Sequence, residues 1–400
     1  MDLTKIPSLD KLPNVKDKRV LVRADFNVPQ DDAGNITSDL RITAALPTIK
    51  HLLGKGARVV LMSHLGRPKG AGFEAAYSLA PVAKRLGELL GQNVALAKDC
   101  TGEHVHDEVK RLKSGEVLLL ENVRFHAAEQ KGDEVFGKEL ASLGDIYVND
   151  AFGTCHRGDA SMVWPAKLLP GAAGYLVKAE CDAIGKVLLN PAKPCIAIVG
   201  GAKVKDKIPL LNNILGRVNE VCIGGGMAYT FLKVQGKKIG VSLYDAGSAK
   251  IAEQTLIKAR ELGVVVHLPT DHVCAQNMDS EAVHQIKGDI PDSEAAFDIG
   301  DQTAKAFSAA ILRGKTILFN GPVGVFEKER FSNGTRIVIN AIAEATQKGA
   351  YSVVGGGDSA AAVEEFKMEK KMSHVSTGGG ASLTLLEGGK MPALDALVKS

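Results

Sequence analysis

Four segments of the first half each carry an arginine beside other hydrogen-bonding groups: RADFNVP with Arg23, SHLGRP with Arg67, ENVRFH with Arg124 and NDAFGTCHRGD with Arg157. A guanidinium grips carboxylate and phosphate oxygens through paired N–H donors, so several converging on one cleft would hold a compact ligand bearing both groups. Arg41, just ahead of a predicted helix, can join them, and His64 lies within the second segment. Asp25 and Asn27 add acceptors for a ligand hydroxyl, a task arginine cannot perform. Any one of these arginines reads equally well as a surface charge or the partner of a nearby acid; four in equivalent places point to a site. His51 reads as structural, and His126 and His156 as supports of their loops.

The second half places glycine where the first places charge: VGGAKVKDK, IGGGMAYTF, FNGPVGVFE, VGGGDSAAA and VSTGGGASL. Backbone amides approach a phosphate most closely where no Cβ intervenes, and a helix starting just beyond adds the positive end of its dipole. Gly355-Gly356-Gly357-Asp358-Ser359, ahead of the helical AAAVEEF, fits that description. Asp358 is suited to a magnesium ion, which takes one or two carboxylates plus phosphate oxygens, and equally to capping the helix. Lys203 and Lys207, four apart after Gly200-Gly201, are expected on one face of a helix start, within reach of a phosphate chain; a solvated pair is the alternative. Asn320 and Glu327 flank an apolar turn suited to an adenine edge and a ribose hydroxyl.

These loops need a scaffold, and short Val/Ile/Leu runs supply it: 19–22, 57–62, 116–120 and 145–148, then 195–199, 264–268, 316–319 and 352–354. Each is too short for a helix and most precede a helical pattern, the signature of buried parallel strands in an α/β protein. Ligands of such sheets bind at the carboxyl ends of the strands, where every quoted loop falls. The contrast between halves predicts an anion-binding domain (1–174), an interdomain helix (175–189) and a nucleotide-binding domain (190–388), with an amphipathic tail (389–400).

With 400 residues, 45% hydrophobic and 24% charged, the chain has apolar material for two cores. Its net charge of +3 argues against bulk attraction to nucleic acid or membrane, so basic sites must be local. Six scattered cysteines (Cys100, Cys155, Cys181, Cys195, Cys222, Cys274) form no C-x-x-C pair and are expected as buried thiols in a reducing, cytoplasmic setting. A G-x-x-x-x-G-K-[ST] loop is absent, since Gly314-Lys315-Thr316 precedes a strand and position 309 is alanine; so is a strand-following G-x-G-x-x-G, and HRGD at 156–159 lacks protein-kinase surroundings.

In order, RVLVRADFNVP, SHLGRP, LLENVRFH, NDAFGTCHR, GGAKVKDKI, IGGGMAYTFLK, NGPVGVFE, GGGDSAAA and STGGGAS resemble the phosphoglycerate kinase family along essentially the whole chain. The resemblance implies two similar-sized α/β domains joined by a hinge, 3-phosphoglycerate on the first, Mg·ATP or Mg·ADP on the second, and a tail that returns to the first. It implies reversible phosphoryl transfer between 1,3-bisphosphoglycerate and ADP by a monomer. By motif, Asp25, Asn27, Arg41, His64, Arg67, Arg124 and Arg157 resemble the phosphoglycerate-binding set. Lys203, Lys207, Gly224, Gly300, Asn320, Glu327 and Gly356 to Ser359 resemble the nucleotide set, with Asp358 on the metal. Phe319 and Ser359 depart from a common Trp and Thr but keep an aromatic face and a hydroxyl.

A carboxylate acceptor is already ionised at neutral pH, so catalysis is expected from alignment and charge alone, with Arg23, Lys203, Lys207 and the Gly356 and Gly357 amides around the transferred group. Kinases of smaller carboxyl phosphates, such as acetate or carbamate, need fewer arginines than are present. A noncatalytic binding protein would not need Arg23, Lys203, Lys207 and Asp358 together.

Overall fold

The structure is a computed structural model that describes residues 2–398. Met1, Lys399 and Ser400, at the ends of the expected first domain and tail, lie outside the described residues. The chain divides into two compact units, Met1–Asp182 with Lys390–Ser400 and Ala183–Gly389.

The first unit is built on six parallel strands: β1 (Arg19–Ala24), β2 (Arg58–Met62), β3 (Val94–Leu96), β4 (Val117–Leu119), β5 (Ile146–Asp150) and β6 (Gly171–Ala173), in the order β3-β4-β2-β1-β5-β6. The expected runs supply the four central strands, while the three-residue edge strands β3 and β6 lie outside them. Val20, Leu21 and Val22 are all fully buried, so both faces of β1 are covered, as β-branched runs without alternation require. Register places Arg23 beside Met62 on one side and Asn149 on the other. Because every strand runs the same way, the loops after β1, β2, β4 and β5 emerge on one edge of the sheet.

The tail helix Pro392–Leu397 packs on the helix Ala160–Leu168 and on β6, burying Leu394 and Leu397. Tyr175–Leu188 is a helix that carries the chain from the first unit into the second. Its start is held by Asp150, whose Oδ1 accepts the N–H of Leu176 (2.9 Å), and by Thr48, whose Oγ1 accepts that of Tyr175 (2.9 Å).

In the second unit β7 (Cys195–Val199), β8 (Glu220–Ile223), β9 (Val265–His267), β13 (Thr316–Asn320), β14 (Tyr351–Val354) and β15 (His374–Val375) form a parallel sheet ordered β15-β14-β13-β7-β8-β9. Between β9 and β13 the chain makes an excursion that periodicity alone did not predict. There β10 (Asp271–Ala275), β11 (His284–Lys287) and β12 (Ala295–Ile299) form a separate antiparallel sheet ordered β11-β10-β12. Its strands are rich in Ala, His, Asp and Gln, so they carry no Val/Ile/Leu run. The glycine loops follow β7, β8, β13, β14 and β15, again all on one edge.

Candidate functional site

At the strand ends of the first unit the basic groups converge. His64 is 3% exposed, and its pKa is driven well below 6.5, first by burial and then by the positive charges of Arg23, Arg124, Arg157 and Arg41. Neutral His64 therefore accepts at Nδ1 from the Arg23 Nη2, 3.3 Å away, and keeps its proton on Nε2, a donor for a ligand oxygen. Asn27 Oδ1 accepts the Gly66 N–H at 2.7 Å, which leaves its amide nitrogen for a ligand. Asp25 pairs with Arg41, whose side chain is 43% exposed. Arg67 is exposed and Arg157 half-buried, and neither side chain has a hydrogen-bond or ion-pair partner among the described residues.

Arg124 carries the clearest sign of a missing ligand. It is 4% exposed; Nη1 donates to the Gly66 carbonyl at 2.9 Å, but Nε and Nη2 are buried with no hydrogen-bond partner. The nearest acid, Asp159, stands 3.9 Å from Nη2, too far to bond. Burial, with the charge of Arg157 next, pulls the Arg124 pKa down. A buried cation with two orphan donors is costly unless an anion completes it.

Arg23, expected beside the transferred group, lies inside the first unit. The side chain is 0% exposed, with Nε donating to Ser161 Oγ (2.8 Å) and Nη1 to the Ala24 carbonyl (2.5 Å). Nη2 faces His64 and lies 3.9 Å from the equally buried Glu129. Glu129 in turn accepts from Ser161 through both oxygens, at 2.8 and 2.5 Å, and burial raises its pKa against the pull of Arg23. With its donors committed, Arg23 is a buried brace that orients His64.

His126 Nε2 donates to the Asp99 carboxylate at 2.7 Å, and Trp164 Nε1 donates to the Gly132 carbonyl at 2.9 Å; both hold loops. His156 is half-buried with Nδ1 unpartnered. The six cysteines are free and buried.

In the second unit a cavity of about 610 Å³ opens among the glycine loops, lined by Gly201, Gly225, Gly226, Pro322, Gly324, Val325, Glu327 and Asp358. Gly200, beside it, has no room for a side chain: a Cβ there would lie 2.0 Å from the Pro322 carbonyl oxygen. Gly356 sits at φ +93°, a conformation L side chains rarely adopt, and opens the helix Gly357–Glu365 with its amides free of Cβ shielding. Asp358 is exposed in the first turn of that helix without capping it, and so offers a free carboxylate to a hard cation. Ser359 is buried, its Oγ accepting the Gly321 N–H at 2.6 Å and its proton left to donate.

Several expected nucleotide residues lie one layer back from the cavity lining. Asn320 is fully buried between Lys207 and the Gly355 carbonyl, bonding each at 2.6 and 2.7 Å, and so braces a lysine. Gly224 donates to Val199 O and packs on Val323, and Gly300 packs on Asp271 at the start of the helix Asp301–Arg313; neither lines the cavity. Lys203 and Lys207 flank a 3-10 turn, Val204–Asp206, in place of sharing a helix face. Burial lowers the Lys207 pKa, with Asp358, Glu387 and Asp206 opposing. The apolar wall, Val241, Leu243, Met278 and Phe297, was missed because none of its residue types announces chemistry. Its one signal was the run VSLY inside a loop, where Val241 and Leu243 are 61% and 57% exposed.

Comparison with known proteins agrees with this layout of two α/β units, each with one loop-bearing edge, and defines the class: a phosphotransferase with a carboxyl group as acceptor. The family model described as phosphoglycerate kinase matches residues 9–389, and the chain belongs to the phosphoglycerate kinase family. It is 49% identical over 384 residues to the phosphoglycerate kinase of Borrelia hermsii strain HS1 / DAH, covering 96% of this chain and 97% of that one. It is 49% identical over 400 residues to that of Anaeromyxobacter dehalogenans strain 2CP-C, covering 99% of each. The solved structure of phosphoglycerate kinase from Coxiella burnetii superposes with a TM-score of 0.91 at 42% identity, over 98% of both chains.

Proposed function

We propose that the chain transfers a phosphoryl group reversibly between 1,3-bisphosphoglycerate and ADP, giving 3-phosphoglycerate and ATP. The observation that carries this reading is the orphaned pair of donors on Arg124, at the edge where Arg41, Arg157 and His64 also gather. Together with Arg67, Asp25 and Asn27, they offer a phosphate, a carboxylate and a hydroxyl the partners each requires. Domain 1–174 would thus hold the phosphoglycerate, and 190–388 the nucleotide, with Glu327 toward the ribose.

Magnesium would bind Asp358 together with the nucleotide and supplies charge neutralisation there. Lys203, Lys207, the Gly356 and Gly357 amides and the Ser359 hydroxyl are suited to orient the phosphate chain and hold charge on the transferred group. Asn320 supports Lys207 in that role. The half-exposed Arg41 replaces Arg23 as the guanidinium that meets the transferred group, because it can leave Asp25 for an incoming anion while Arg23 cannot leave its buried cage. Transfer requires reacting atoms within about 3 to 3.5 Å and exclusion of water, so hinge closure about 175–189 accompanies turnover. The reading also takes the protein as a cytoplasmic monomer without nucleic-acid or membrane partners, supported by the even charge balance of +3 and six free thiols. Among the described residues no helix is long and apolar enough to cross a membrane.

The test is ATP turnover with 3-phosphoglycerate and magnesium, read by coupled reduction of the acyl phosphate formed, with acetate as control acceptor. Turnover with 3-phosphoglycerate alone is expected; a folded protein that binds nucleotide without turnover would overturn the reading. For closure, small-angle scattering should show a smaller radius of gyration with both substrates than with either.

A further inference from the structure

One buried acid sits where three parts of the nucleotide cavity's frame meet. Asp298, 2% exposed, is the fourth residue of β12, and the residue before it, Phe297, lines the cavity. Its Oδ2 accepts the N–H of Gly334, 2.7 Å away in the first turn of the helix Asn333–Gln347, and its Oδ1 that of Ile299 at 2.9 Å. The same Oδ1 sits so close to the opposite wall that a Cβ on Gly324 would lie 2.1 Å from it, and one on Gly334 2.3 Å. Val325, next to Gly324 and also in the lining, donates its N–H to the Phe297 carbonyl at 2.9 Å. Phe297 rests against Phe331 with ring centroids 4.9 Å apart.

A carboxyl in this place is expensive. Burial pushes its pKa up to about 7, opposed by the Gly334 and Ile299 N–H groups. Its hydrogen bonds run to backbone and join β12 to the start of the helix Asn333–Gln347, while the loop carrying Gly324 and Val325 is packed directly against its Oδ1. The two walls thus meet through the Val325–Phe297 backbone hydrogen bond and through Gly324 packed on the Asp298 carboxylate, and a slot held open in advance spares the ligand the cost of ordering it.

We propose that Asp298 is a positioning residue for the nucleotide: it fixes the wall of Phe297 against that of Gly324 and Val325, so that the slot for the base is preformed. The inference deepens the reading of this cavity as the nucleotide site and rests on it. Asp298→Asn keeps the shape but turns an N–H donor toward the Gly334 or Ile299 N–H, so one tie is lost.

Titration calorimetry on the full-length protein tests this with Mg·ADP and, separately, 3-phosphoglycerate. Asp298→Asn is expected to weaken Mg·ADP at least about tenfold while 3-phosphoglycerate stays within about twofold, and to raise the KM for ATP with little change in kcat. A general loss of structure would weaken both ligands together, and a folded variant with wild-type Mg·ADP affinity would overturn the inference. Gly324→Ala approaches the same contact from the other wall, so it serves if the first variant does not fold. It should show the same selective loss, and a smaller one when Asp298 is already alanine; wild-type Mg·ADP affinity in Gly324→Ala would equally overturn the idea. Failure of the wild-type protein to bind Mg·ADP at all would instead bring down the nucleotide reading.

Discussion

Replacing Arg124 by methionine should separate binding from folding. The methionine fills similar volume without charge, and it removes the two buried donors, Nε and Nη2, that no protein group satisfies. If an anionic substrate completes them, each charge-assisted bond is worth about 1.5 kcal/mol net, and losing two costs about 3 kcal/mol, or roughly 150-fold in Kd for 3-phosphoglycerate. The ligand-free protein should hardly notice. It loses the 2.9 Å bond from Nη1 to Gly66, worth about 1 kcal/mol, but is also relieved of two orphan donors that cost at least as much. Calorimetry and denaturant unfolding on the same samples decide the matter. At 3-phosphoglycerate equal to 100 times the wild-type Kd, ligand should stabilise the wild type by about 2.7 kcal/mol and the variant by about 0.3 kcal/mol. A Kd within fivefold of wild type, or a ligand-free stability loss above about 3 kcal/mol, would refute the argument by making Arg124 a structural residue.

Three more outcomes follow from the same geometry. Arg41→Ala, at a half-exposed side chain, should leave unfolding nearly unchanged while kcat falls by about 10³-fold, measured in the coupled assay. Arg23→Ala should behave in the opposite way: it strands the buried Glu129 and should cost about 3 to 5 kcal/mol in urea unfolding, so a fully stable variant would undo the account of Arg23 as a brace. The third concerns pH. The hydrogen bond to Asp99 raises the pKa of His126 above 6.5, so its contribution is fully present below pH 6.5 and is lost as pH rises through the folded-state value. The stability gap between wild type and His126→Gln should therefore be wider at pH 5.5 than at pH 9; because both side chains are about a third exposed, added salt should narrow it, and an equal gap at both pH values would refute the coupling.

How much of this was legible in the sequence depended on what each residue type advertises. Most central parallel strands were legible because burial on both faces demands runs of β-branched residues, as in RVLVRA and CIAIV, though the four-residue β8, EVCI, was not among the expected runs. The antiparallel excursion was not, since its strands DHVCA, HQIK and AAFDI mix polar and small residues that satisfy no single period. The basic loops were legible as a cluster, because arginine at the ends of parallel strands must emerge on one sheet edge.

What the sequence could not disclose was which arginine is buried and which is exposed. Arg23 is the last but one residue of β1, flanked in register by Met62 and Asn149, so its side chain enters the space under the loops. Arg41, with less distinctive neighbours, is the second residue of the helix Leu40–Gly54 and remains half-exposed. A shift of one strand position would reverse the direction of Arg23, and motif spacing does not record that direction. Burial of the partner does: Glu129 is a fully buried acid whose sequence context, HAAEQ, looks like a solvated helix face, and only the fold shows that Arg23 is the cation beside it. Chemistry-bearing residues in this protein thus fall into two layers, an outer one with unsatisfied donors such as Arg124 and an inner one with committed donors such as Arg23 and Asn320. The separation between them lies in hydrogen-bond accounting and not in residue type, which is why the paired variants of Arg41 and Arg23 probe it more sharply than either alone.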